Sequence, residues 1–285
     1  MNRCGAGKLC RNGRLCRELR ARGAMRASAG LDMDFRAFIE TAAFPAEEIE
    51  RRTAGIHATL LAESDYIDQA DFTALHSDDL SLLFQRYDQL FFQGSCAALV
   101  GSRPLDFRVS SRMTRIGGKT TTFRPRAHPS ERRYEIAVSS TLLFQTFRDE
   151  DREITVNGLR CHNRLQALQR VFEHELLHLV ETLVWSDSSC KAQRFQDMAA
   201  RLFGHREHTH RLITPRERAL TRFRVRPGVR VRFEFEGRPH VGIVNRVTNR
   251  ATVLVEDPGG LRYSNGKRYR KFYVPVGGLQ VLDAG

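Results

Sequence analysis

Long apolar runs are missing from this chain of 285 residues: no stretch approaches the ~18 apolar residues needed to cross a bilayer. The first 30 residues also lack an apolar stretch of about 7–15, which argues against a secretory signal and predicts a cytoplasmic protein. Cysteine is sparse and unpaired. The six cysteines stand at positions 4, 10, 16, 96, 161 and 190 without tight spacing, so they are expected to be thiols or ligands rather than disulfides. Acidic residues are scarce at the two ends of the chain. Residues 1–30 carry a formal charge of +7 and residues 201–285 carry +11, whereas residues 31–200 sum to −5. Positive charge concentrated in terminal segments favours polyanionic partners, nucleic acid first, and extends the cytoplasmic expectation to association with a nucleoid.

What is present divides the chain into four stretches. Residues 1–30, rich in Arg, Gly and Ala, read as a disordered basic tail. Residues 31–204 read as a folded domain mixing helix and strand. Helical pieces are expected over 31–75, broken at Pro45 and Gly55, and a stronger helix over 78–93, where Leu80, Leu83, Phe84, Tyr87, Leu90 and Phe91 recur at helical spacing. Alternation at Phe107 and Val109 and at Tyr134, Ile136 and Val138, with the strand-favouring residues Thr120–Phe123 between them, then predicts a small sheet. Asn163 opens a long helix to residue 185, with apolar residues on more than one face, so this helix is expected to be central and buried. Ser188 or Ser189 is expected to cap a second helix ending at Gly204. The Arg-rich segment 205–227 reads as a linker. Residues 228–285 read as a small β-barrel of short strands turned at Glu236-Gly237, Asp257-Pro-Gly-Gly and Asn265-Gly266.

Within the long helix, residues 174–178 read His-Glu-Leu-Leu-His. Positions i and i+4 share a helix face, so two imidazoles can reach one Zn²⁺. Glu175 stands beside the first ligand and can take the proton of a metal-bound water. A catalytic zinc needs a third protein ligand and one open position. Cys190, expected at the start of the following helix, is the first candidate, and His205 is the alternative, with His208 and His210 weaker. Glu181 is expected to support a ligating histidine rather than bind metal itself.

From about Leu80 to Gly204 the order of segments resembles the SprT-like family of zinc metallopeptidases. The segments are Leu83-Phe84-Gln85-Arg86-Tyr87-Asp88-Gln89-Leu90-Phe91-Phe92-Gln93-Gly94, then Val109-Ser110-Ser111-Arg112-Met113-Thr114 leading to Gly117-Gly118, then Tyr134–Ser139, then the H-E-x-x-H. That resemblance implies a minimal zincin-like α+β fold, one zinc ion per chain, Glu175 as general base and hydrolysis of peptide bonds, in some members of proteins bound to DNA. The family carries its third ligand in a His-Gly-x-x-Phe segment. Here the matching stretch, Ser189–Phe195, lacks the His-Gly pair and offers Cys190.

The C-terminal stretch resembles a KOW-type small barrel, as in Val241-Gly242-Ile243-Val244-Asn245-Arg246-Val247. Its cations Arg246, Arg250, Arg262, Lys267, Arg268, Arg270 and Lys271 interleave with aromatics, a pattern that can neutralise phosphates and stack bases. Two functions follow. One is a zinc peptidase acting on a protein substrate and recruited to nucleic acid. The other is a non-catalytic nucleic-acid-binding protein with a structural or vestigial zinc site.

Overall fold

A computed structural model of the chain describes residues 33–125, 131–148 and 152–282. The basic tail expected over residues 1–30 lies outside them. The fold is mixed α+β, with two hydrophobic cores, one drawing on residues from Phe35 to Ile213 and the other on residues from Ala219 to Leu279.

The first core begins with a helical segment over residues 33–41 (α1), followed after Pro45 by α2 (Ala46–Glu63). Gly55, expected to interrupt the chain, lies inside α2. Ile49, Thr53, Ile56 and Leu60 form a buried stripe on this helix, and anchoring that face outweighs the ~1 kcal/mol cost of one helical glycine. α3 (Ser77–Phe92) starts at a His76 cap reciprocated by the Asp79 carboxylate and buries Leu80, Leu83, Phe84, Tyr87 and Phe91. Leu90 points outward, and Phe92 takes the buried place expected of it. A short α4 (Ser95–Val100) leads to β1 (Leu105–Ser110), β2 (Gly118–Phe123) and β3 (Arg133–Ser139). β3 is the central strand, parallel to β1 and antiparallel to β2, which leaves β2 at the edge. α5 (Ser140–Gln145) and the hairpin of β4 (Ile154–Val156) and β5 (Leu159–Cys161) lead into α6 (Arg164–Trp185).

α6 is the axis of this unit. Asn163 Oδ1 accepts from the Gln166 amide at 2.9 Å, and the Gln166 side chain accepts from the His162 amide at 2.8 Å. Leu165, Leu168, Val171, Phe172, Leu176, Leu179 and Val180 are fully buried around it, as a helix apolar on several faces must be. α6 packs against β2, β3, α2, α3 and α7 (Gln193–Phe203), which Gly204 ends.

The segment read as a linker is folded. His205, Leu212 and Ile213 are buried with the first core, and α8 (Pro215–Phe223) begins at a Thr214–Glu217 capping box with Pro215 in the first turn. Arg152 grips Glu217 from the first unit at 2.6 Å, while Ala219 and Val225 join the second core. Arginine-rich composition concealed these few apolar anchors.

The second unit is a five-stranded antiparallel sheet in the order β10-β6-β7-β8-β9: β6 (Arg230–Phe235), β7 (Arg238–Val247), β8 (Ala251–Arg262), β9 (Arg268–Val274) and β10 (Gln280–Val281). Its aromatic core closes β6 onto β9, with the Phe233 and Phe272 ring centroids 5.4 Å apart. Glu236 and Gly237, both at positive φ, form the tight β6–β7 turn that strand twist favours. Asp257-Pro-Gly-Gly does not turn the chain. It is an irregularity inside β8, where the register to β9 shifts between Glu256 and Leu261. No described helix is long and apolar enough to cross a membrane.

Candidate metal centre

The middle of α6 places His174, Glu175 and His178 at the wall of a cavity of about 780 Å³. His174 and His178 point their Nε2 atoms at each other across 3.2 Å. Phe195 of α7 packs under both rings, with centroids 4.9 and 4.6 Å away, and gives the pair an apolar floor. Cys190 closes the third side: one ligand atom from each of His174, His178 and Cys190 lies within 4.8 Å of the other two.

The tautomer of His178 follows from its hydrogen bonds. The Ser188 hydroxyl lies 2.7 Å from Glu181 Oε2, a carboxylate that can only accept, so the serine proton goes there. The Ser188 oxygen, 2.6 Å from His178 Nδ1, therefore accepts from the Nδ1–H. In the neutral ring this leaves the Nε2 lone pair aimed into the cluster, the form a metal ligand requires. Glu181 is fully buried and held in turn by Arg194 at 2.8 Å and by the Ser189 amide at 3.1 Å. Burial pushes the pKa of both His174 and His178 down, so both rings are neutral near pH 7.

Glu175 is held from β2. Thr120 Oγ1 lies 2.9 Å from Glu175 Oε2 and 2.7 Å from the Glu175 carbonyl oxygen. Gly118 lies directly against the carboxylate: a Cβ there would stand 2.6 Å from Oε1 and 2.5 Å from Cγ. Burial raises the Glu175 pKa to about 7, opposed by the Thr120 hydrogen bonds.

Two expectations about the third ligand change. α7 begins at Gln193 behind Ala192, not at Ser188 or Ser189, so Cys190 sits in the preceding loop without a helix terminus to stabilise its thiolate. Burial instead pushes its thiol pKa up. His205, the alternative ligand, is turned away into a separate network on the opposite side of α6. Its Nε2 lies 2.8 Å from Glu173 Oε2, and Glu173 also takes the Tyr87 hydroxyl at 2.7 Å and Arg170 at 2.9 Å. His210, a weaker candidate in the sequence, comes closer. Its ring stands nearly perpendicular to His174 with centroids 4.7 Å apart, and its buried Nε2 has no hydrogen-bond partner. An isolated bridge between Val156 and His210 carries it there, a tertiary contact with no local sequence signal. Burial, with His205 and His178 nearby, holds its pKa at about 4.

The donor set of two imidazole nitrogens and one sulfur suits zinc, and two Nε2 atoms facing each other at 3.2 Å beside a partnerless buried nitrogen leave room for a cation to take the place of the proton between them. The cavity is also lined by the cations Arg115, Lys119 and Arg124 and by the acid Asp187. No family model, curated protein or solved structure matches this chain.

The seven cations expected to bind nucleic acid all lie in the C-terminal sheet or its turns, but not as one free patch. Lys267 is paired with Glu256 at 2.9 Å, Arg270 with Asp257 at 3.0 Å, and Arg268 donates to the Gly260 carbonyl at 3.0 Å. Arg246, Arg250, Arg262 and Lys271 are in no ion pair among the described residues.

Proposed function

We propose that this protein is a zinc-dependent peptidase whose catalytic base is Glu175 and whose metal ligands are His174, His178 and Cys190. The observation that carries the reading is the convergence of two histidine Nε2 atoms 3.2 Å apart, a thiol, and a buried carboxylate in one cavity open to solvent. The order of helix, small sheet and motif helix, which resembles SprT-like peptidases, supports a minimal zincin-like domain.

A zinc ion at this position would polarise a carbonyl and acidify a bound water. The residues supply the rest. Glu175, with a pKa near 7, is matched to accepting a proton from water and returning it to a leaving amine. Thr120 and Gly118 fix where its carboxylate sits. Phe195 excludes water beneath the imidazoles, and Ser188 with Glu181 fixes the His178 tautomer.

The test is Glu175→Gln in the full chain. One zinc per chain should be retained while hydrolysis of a casein substrate falls by about 100-fold or more. Activity equal to the unsubstituted protein would refute the assignment.

A second reading, a closed structural site, is favoured by one observation, the partnerless Nε2 of His210 beside His174. X-ray absorption that counts three imidazoles and one sulfur on the bound zinc would support it. Two imidazoles, one sulfur and a light oxygen atom would support the peptidase.

A further inference from the structure

The C-terminal unit has a second cavity, of about 750 Å³, between the β6–β7 hairpin and β9. Its floor is aromatic. Phe272 lies 4.8 Å from the His240 ring and 5.2 Å from Phe235. Phe272 is buried, but Phe235 is 43% exposed and Tyr273 is 61% exposed, more than packing of the sheet requires. Arg238, Arg250 and Lys271 stand around these rings and form no ion pair among the described residues. Arg238 and His240 lie opposite Phe235 and Phe233 in the β6–β7 register, so one short hairpin brings ring and charge together.

We infer that this cavity is a binding site for single-stranded nucleic acid, with a base stacked on the exposed face of Phe235 or Tyr273 and the flanking phosphates on Arg238, Arg250 and Lys271. Cations alone would serve a duplex or an acidic polypeptide equally well. Exposed rings set among unpaired cations match an unstacked base followed by its own phosphate, the arrangement on which sequence-tolerant single-strand binding rests. Glu236, at the rim, offers an acceptor that repels phosphate but suits a base N–H. The site includes Arg238, His240 and Phe235, outside the cluster of cations conspicuous in the sequence, and it does not depend on the metal centre.

The site also has a defined place in the molecule. Asn249, next to Arg250, donates to the Ser111 carbonyl at 2.9 Å, so the β7–β8 turn rests on the segment that leads into β2.

The experiment is fluorescence anisotropy of the full chain with labelled 12-mers of oligothymidylate and oligouridylate, a 12-base-pair duplex, and polyglutamate as competitor. We expect the single strands to bind at least about tenfold more tightly than the duplex. Phe235→Ala/Tyr273→Ala should weaken the single strands about tenfold or more while duplex binding and zinc content stay unchanged. Phe235→Tyr should bind as the unsubstituted protein does, and Arg250→Ala should reduce the salt dependence. A double variant that folds and still binds single strands at full strength overturns the inference, as does a preference for duplex. If the double variant loses its thermal transition, Phe235→Leu/Tyr273→Leu, which keeps the apolar bulk without either ring, must weaken binding for the inference to stand. Displacement by polyglutamate at equal charge overturns it in favour of an acidic polypeptide.

Discussion

Ser188 Oγ stands 2.6 Å from His178 Nδ1 and 2.7 Å from Glu181 Oε2, so one hydroxyl joins a buried carboxylate to the back of a candidate metal ligand. Removing it leaves the ring free to change tautomer and orientation. Ser188→Ala should lower zinc affinity by about 10–100-fold, measured by competition with a chromophoric chelator, with the thermal transition of the zinc-loaded protein retained. Unchanged affinity would mean that the imidazole is held by Phe195 alone.

Gly118→Ala separates base from metal. The added methyl would meet the Glu175 carboxylate, the movable end of a side chain, rather than backbone. Zinc content should stay at one per chain while hydrolysis falls by about 100-fold, because the base contributes only when positioned. Loss of zinc with activity would show that the glycine supports the fold of the site as a whole.

The third ligand is decided by two variants measured together. Cys190→Ala should reduce zinc stoichiometry sharply, and His205→Ala should leave it intact, since His205 faces Glu173. If His210→Ala alone removes zinc, the ligand is the imidazole beside His174 rather than the thiol.

Glu173 offers a stability test that leaves the metal alone. It is fully buried and binds Arg170, Tyr87 and His205. Glu173→Gln strands the guanidinium of Arg170 and should cost about 3–5 kcal/mol in denaturant unfolding, with zinc stoichiometry unchanged. A cost below ~1 kcal/mol would mean that Arg170 reaches water.

The pH dependence of stability in chelator-treated protein tests the environment of Glu175. Its pKa is raised from 4.5 to about 7, so the folded state holds this proton more tightly than the unfolded state does. The resulting stabilisation is full below about pH 4.5 and is lost as pH rises to about 7, by roughly 3 kcal/mol for a shift of this size. Glu175→Gln does not titrate. The difference between the two proteins should therefore change over that window and stay flat above it, with the histidines common to both cancelling. A difference that is constant from pH 4 to 8 would show an ordinary carboxylate.

The sequence displayed what depends on neighbours along the chain. The capping of α6 by Asn163, its apolar faces and the His-Glu-Leu-Leu-His turn are local, and the structure keeps them. Thr120, Gly118 and His210 reach the site from 55, 57 and 36 residues away from their contacts with Glu175 or His174, and no periodicity marks them. Segment 205–227 was obscured by its arginines, because four spaced apolar residues suffice to anchor it where composition is otherwise polar. Phe235 and His240 were hidden for the opposite reason. Aromatic residues in a strand read as core, and only the fold shows which faces remain open.

α6 is gripped along two lines. Glu173 faces one network and Glu175 the other, two residues apart and so about 200° around the helix. A rod clamped on opposite sides cannot turn about its own axis. The spacing between His174 and His178 is therefore stiff to torsion, and any give the site needs to admit and release a polypeptide must come from the two loops that border it, residues 186–192 and 204–210.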